Sequence, residues 1–279
     1  MNLRIRQIAK TSVAAGTLLG ALVLGGLQAL ALTPEQITQK LTRIPVFTIT
    51  DAQGAPLVAS PPNGQKGNPA AGVFISQQDA QAFLERLKQQ SPEVAKNVKV
   101  VPISLAEVYD LERKNQGKQP QLDFVYVPTK KQLDSAVAIL KKVDPKAQQF
   151  PGTPLFAARA GKDKEKGFLT IQQGNQSVIP MFFDKEQLQA LLDRFKQQQP
   201  DLANSADIEV FPLEGVLEAM TTQKDPQLEK IVLVPSLESI QFIQTLQKQQ
   251  PSGQTKPAPQ PANKPAAQPA NKSATPPKK

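Results

Sequence analysis

The chain has 279 residues, with 33 Lys and Arg against 24 Asp and Glu, and no Cys, His or Trp. Without Cys and His there are no disulfides, no thiol nucleophile, no iron–sulfur cluster and no Ser-His-Asp arrangement, and the commonest general base and metal ligand are gone. Three cations in the first 31 residues and five in the last 26 leave the remaining 222 residues at +1, so the net charge of +9 is not the footprint of a nucleic-acid-binding body.

Residues 1–31 read as a secretory signal. Arg4, Arg6 and Lys10 form a positive n-region, Val13 to Leu27 is an uncharged apolar run, and Ala29-Leu30-Ala31 fits a small-x-small cleavage pattern with cutting between Ala31 and Leu32. The competing reading is an uncleaved anchor, but the run is short for a span and is broken by Gly16, Gly20, Gly25 and Gly26. No second long apolar run follows, so an exported protein without an integral span is expected.

An N-terminal helix is expected within 32–43. Thr33 caps it, Pro34 sits at its first turn and Gln36 closes a capping box. It carries Ile37 and Leu41 and is expected to pack on the body; docking to a partner is the alternative.

From residue 44 the chain repeats itself. Residues 73–90 align without gaps on 181–198, and Ala80, Phe83, Leu84 and Leu87 map onto Leu188, Leu191, Leu192 and Phe195 at helical spacing. The match extends upstream (44–47 with 153–156) and downstream (100–103 with 210–213, and 124–129 with 231–236) at offsets of 107 to 110. Each copy reads β-β-β-α-β-α-β-α. In the first copy these are strands 45–50, 55–59 and 73–75, helix 77–90, strand 98–103, helix 105–116, strand 122–127 and helix 130–142. The second copy repeats the order from 154 to 249. Ser76 with Asp79, Asp184 with Gln187, Ser104 with Glu107 and Thr129 with Gln132 supply helix starts, and Pro92 and Pro200 supply stops. Alternation between period two and period 3.6 makes the fold class mixed α/β. The expected organisation is two similar halves, 44–142 and 153–249, joined at 143–152 and related by a pseudo-twofold axis. Strands 122–127 and 231–234 are apolar at nearly every residue, which predicts cover on both faces, one by helices and the other by the partner copy or a ligand.

Residues 250–279 close the chain with Pro, Ala, Gln, Asn and Lys, and the phrase Gln-Pro-Ala-Asn-Lys occurs at 260–264 and again at 268–272. Such a composition builds no core and predicts a disordered tail of polyproline-II character. A solvated tail and a weak cationic tether to an anionic envelope surface are the two readings.

A search for chemistry finds no phosphate loop, no nucleophile elbow and no calcium loop. The charge run 162–166 reads as a solvated turn. No catalytic, metal or cofactor-binding residue is assigned. An enzyme using carboxylates alone would need two acids converging in a cleft with raised pKa values. Twelve Phe against two Tyr make most aromatics purely apolar. They are read as core, with the alternative that Phe74, Phe124, Tyr126, Phe182, Phe183 and Val232 line a groove for extended or apolar client segments.

The phrases at 44–54, 73–84 and 124–128, with the duplication, resemble the Tic family, the twenty-two-kilodalton component of the chloroplast inner-envelope translocon, in its cyanobacterial form. The resemblance covers 35–249. It implies a non-enzymatic, pseudo-symmetric α/β protein with apolar pockets, located in the periplasm or thylakoid lumen (the intermembrane space in plastid relatives). It implies a chaperone-like role in protein transport and outer-membrane biogenesis, unfolded precursors and the outer-membrane β-barrel insertase as partners, and no cofactor. A non-catalytic envelope scaffold or an apolar-ligand-binding protein is the alternative.

Overall fold

The computed structural model describes residues 31–60, 67–161 and 166–249. The leader up to residue 30, most of the 162–166 charge run and the tail from residue 250 lie outside the described residues.

A short helix, α1 (Pro34–Leu41), precedes the first sheet. Thr33 and Gln36 form the expected capping box, and Ile37 and Leu41 are buried. Strand β1 (Pro45–Asp51) turns at Gly54, whose φ of +87° favours glycine, while the Asp51 carboxylate accepts from the N–H groups of Gln53 and Ala55. Then come β2 (Val58–Ala59), β3 (Ala70–Phe74), α2 (Gln77–Gln90), α3 (Pro92–Ala95), β4 (Val98–Ser104), α4 (Leu105–Asn115), β5 (Asp123–Val127) and α5 (Lys130–Leu140). The second half comprises β6 (Pro154–Ala160), β7 (Gly167–Phe168), β8 (Ile171–Gln173), β9 (Gln176–Phe182), α6 (Lys185–Gln198), α7 (Pro200–Asn204), β10 (Asp207–Pro212), α8 (Leu213–Thr222), α9 (Pro226–Lys230), β11 (Ile231–Val234) and α10 (Leu237–Gln249).

Two sheets result, and their main strands share one order. The first runs β4-β1-β3-β5 and the second β10-β6-β9-β11; in each, the first two pairings are antiparallel and the last is parallel. Phe47 opposes Phe74 in the first sheet as Phe156 opposes Phe182 in the second. The junctions also match. Leu105 N–H donates to the Ile44 carbonyl and Leu213 N–H to the Thr153 carbonyl, both at 2.7 Å; Ile75 N–H donates to Val127 and Phe183 N–H to Val234, both at 3.1 Å.

Several elements differ from the sequence expectation. Pro92 and Pro200 end the long helices and also open one-turn helices, because a proline at N1 needs no N–H partner. The second half carries one extra short strand, β7, while β8 pairs with β9 as β2 pairs with β3. Asp184 makes no cap to its own helix backbone: its carboxylate accepts from Leu237 N–H (2.8 Å) and the Gln187 side chain.

The inner faces of both sheets (Val46, Val73, Leu155, Ala157, Ile179 and Met181) share one core with buried residues of α1, α4 and α8. The outer faces have separate cores, and each borrows from the other half. Helix α5 puts Ala136 and Ile139 into the core beneath the second sheet, while α10 sets Phe242 edge-on against Phe47 of the first, ring centroids 5.2 Å apart. The helix starts are cross-tied as well. Gln132 of α5 accepts from Lys185 N–H at the start of α6, and Glu238 of α10 accepts from Gln78 N–H at the start of α2. Among the described residues no helix is long and apolar enough to cross a membrane.

Candidate functional site

A cavity of about 820 Å³ opens between α4, α8 and β5. Helix α4 contributes Tyr109, Glu112, Arg113 and Gln116. Helix α8 contributes Glu214, Leu217, Glu218 and Thr221. Both sets follow i, i+3, i+4, i+7, so each helix turns one full stripe toward the space. Phe124, Val125 and Tyr126 of β5 complete the wall, with Pro34 and Gly152 at the ends.

Consecutive strand residues point to opposite faces, so lining by 124, 125 and 126 together means that the cavity runs along the edge of β5. The ladder fixes which edge. Asp123 N–H donates to Pro69 and the Val127 carbonyl accepts from Ile75, so the odd residues bond β3. The backbone groups of Phe124 and Tyr126 then face outward, and among the described residues β5 pairs with no second strand. Val125 is 51% exposed. The described chain therefore leaves the Val125 side of β5 uncovered, beside an open cleft, where the sequence reading allowed a ligand as the cover.

The polar chemistry is concentrated on Glu112, Tyr126 and Glu214. Burial pushes the Glu112 carboxyl up to about 7; contact with the Tyr126 hydroxyl lowers it and the Glu214 charge raises it further. Burial, then the Glu112 carboxylate, pushes the Tyr126 phenol well above its usual value. The Tyr126 hydroxyl is enclosed beside Glu112, yet no acceptor or donor meets it at hydrogen-bond geometry. Glu214 is engaged elsewhere: both its oxygens accept from Thr153 N–H, at 3.0 and 3.1 Å. Gly152, at φ +86°, lies so close that a Cβ there would collide with the Glu214 carboxylate. Three acids thus line one cleft, and of these Glu214 alone has its carboxylate engaged by a backbone N–H. No group of three or more acids among the described residues is placed to hold a metal ion.

Of the residues singled out from sequence, Phe124 and Tyr126 line this cavity. Phe74 and Phe182 are buried in the two outer cores and Phe183 in the central one, where covering helices close them off from solvent. Val232 is half-buried on β11, its backbone turned toward β9. The expected cleavage point falls where the chain enters the body: Ala31 is half-buried, Leu32 is buried, and Leu32 N–H donates to the Met220 carbonyl (3.0 Å). The sequence reading missed Glu112, Glu214, Gly152 and Val125. Glu112 had a readable signal, since it stands seven residues after Leu105 and four after Val108, an acid on the buried stripe of α4.

The Tic22-like family model matches residues 4–245 of the chain. Among characterised proteins, "Protein TIC 22, chloroplastic" of Pisum sativum is 26% identical over 209 residues, 74% of this chain and 75% of the relative. Its namesake in Arabidopsis thaliana is 26% identical over 211 residues, 75% of this chain and 71% of the relative. Among solved structures, Anabaena Tic22, described as a protein-transport protein, superposes with a TM-score of 0.65 at 32% identity, covering 77% of this chain and 97% of its own. Tic22 from Plasmodium falciparum superposes at 0.59 and 23% identity, covering 76% and 98%, and supports the fold alone.

Proposed function

The chain belongs to the Tic22-like family, and from that premise we propose that it is a non-enzymatic, chaperone-like carrier. It holds unfolded precursor proteins in an exported compartment, the periplasm or thylakoid lumen, on the way to the outer membrane. The observation that carries this reading is the open cavity along the unpaired edge of β5. A visiting segment there reaches the outward backbone groups of Phe124 and Tyr126 and gains apolar contact with Val125 and Leu217. The engagement of Glu214 by Thr153 supports a binding role over acid–base chemistry, because a general base needs a free carboxylate. We also read the two halves as copies of one unit about a pseudo-twofold axis. The shared strand order and the matched junction bonds support this.

The test is aggregation of an unfolded outer-membrane β-barrel precursor, followed by light scattering. The full chain in stoichiometric excess delays aggregation, and Val125→Asp removes most of the delay while shifting stability by less than about 0.5 kcal/mol. No delay with the wild-type chain overturns the reading. Loss of envelope association on deleting 254–279, with the delay intact, would favour the scaffold alternative.

A further inference from the structure

The cavity has a counterpart in the second half, and that counterpart is filled by the chain itself. Leu105 opens α4 as Leu213 opens α8, so Asp110 matches Glu218 and Glu112 matches Met220; along the strands, Phe124 matches Ile231 and Tyr126 matches Leu233. On the filled side, α1 and the residue before its cap occupy the space. Thr38 donates to Asp110 (3.2 Å), Leu32 N–H donates to the Met220 carbonyl, and Leu32, Ile37 and Leu41 share a core with Met220, Ile231 and Leu233. The outward edge of β11 is closed by a cation: Lys40 Nζ donates to the carbonyls of Ile231 (3.0 Å) and Glu229 (2.6 Å).

On the open side two of the three matching groups are present with no occupant from the described chain: Glu218 stands where Asp110 receives Thr38, and the outward Phe124 carbonyl stands where Ile231 receives Lys40. The Glu112 carbonyl, which matches that of Met220, accepts from Gln116 N–H instead (3.1 Å). Around it the lining carries three acids against Arg113, over an apolar floor of Phe124, Val125 and Leu217.

We propose that this cleft captures a short amphipathic basic helix, about two turns long, from a precursor protein. Its Ile/Leu face lies against β5 and α8, and a Lys or Arg reaches the Phe124 carbonyl and the cavity acids. The counterpart argues for this occupant over an extended strand, because the same edge on the other half is closed by a helix and a lysine. Charge complementarity argues the same way: an acidic rim over an apolar floor suits a segment of opposite charge. The inference deepens the carrier reading and rests on it.

A fluorescent peptide of residues 32–42 carrying Glu35→Gln, which leaves Lys40 as its only charged side chain, probes the site in trans against the full chain, by anisotropy. We expect saturable binding that weakens about tenfold with a Lys40→Glu peptide and about fivefold with Val125→Asp or Glu218→Lys in the protein. Glu93→Lys, at an exposed residue outside the cavity lining, leaves binding unchanged. Binding indifferent to Val125 and Glu218, or equal for a scrambled peptide, overturns the proposal. Concentration-dependent self-association that the peptide disrupts also overturns it, because the occupant is then a second copy. If the peptide fails to bind while the chain still delays aggregation, the helix inference falls and the carrier reading stands; failure of both removes the carrier reading too.

Discussion

Strands β5 and β11 are placed alike, each the last strand of a four-strand path and each parallel to its neighbour, yet their outer edges meet opposite fates. Along β11 the chain's own α1 supplies Ile37, Leu41 and Lys40, and Ile231 and Leu233 are buried. Along β5 nothing of the described chain arrives, and Val125 stays exposed. Matching helix positions differ to suit, with Met220 fully buried on α8 where α4 carries Glu112 at the wall of a cleft. The contrast teaches that two similar sheets need not give two equal sites. One 8-residue helix, added ahead of one half, seals one edge and leaves the other for a visitor.

The contrast can be broken from the filled side first. Ile37→Ala removes a fully buried side chain from the α1 plug and should lower stability by about 2–5 kcal/mol in urea unfolding. A loss below about 1 kcal/mol would mean that α1 is not integral to the central core.

Gly152→Ala strikes the wall of the open side. It strains a left-handed backbone and drives the Glu214 carboxylate off Thr153, for a loss of about 1–3 kcal/mol by the same measurement.

Glu112 sharpens the comparison through pH. Its folded value, about 7, lies above the ordinary 4.5, so the folded state holds the proton more tightly and stability falls as pH rises from 4.5 to 7. Water reaches the cavity wall, which reduces the effect to an order of 1–2 kcal/mol. Glu112→Gln should remove that slope and gain the same amount at pH 8, read from unfolding midpoints across the range; an unchanged slope refutes it. Met220 offers no such titration, so this component of the pH dependence belongs to the open half.

The smallest effect is at the β11 edge. Lys40→Met leaves two carbonyls without their ammonium and should lose about 1 kcal/mol. Faster amide exchange confined to β11 and α9 would locate the damage; none there would show the edge to be held by α1 packing alone.

Much of the fold was legible in the chain. Thr33 with Gln36, Ser76 with Asp79 and Ser104 with Glu107 cap their helices as read, because a cap depends on atoms three residues apart. Of the stripe Ala80, Phe83, Leu84 and Leu87, Ala80 and Leu84 are buried for an equally local reason, their spacing matching the helical turn, while Phe83 stays exposed because no distant segment covers it. Asp184 departed from that reading because Leu237, far along the chain, competes for its carboxylate. Phe74, Phe182 and Phe183 resemble Phe124 in sequence, and only their covering helices separate core from cleft.

By itself the sequence determined where most helices start and where most strands lie, since hydrophobic period and capping chemistry act over a few residues. Tertiary structure decided that α5 and α10 cross to the opposite sheet, that α1 seals β11 and that the edge of β5 remains open. Burial of a face depends on which distant segment arrives to cover it, and two strands of nearly the same composition receive different neighbours.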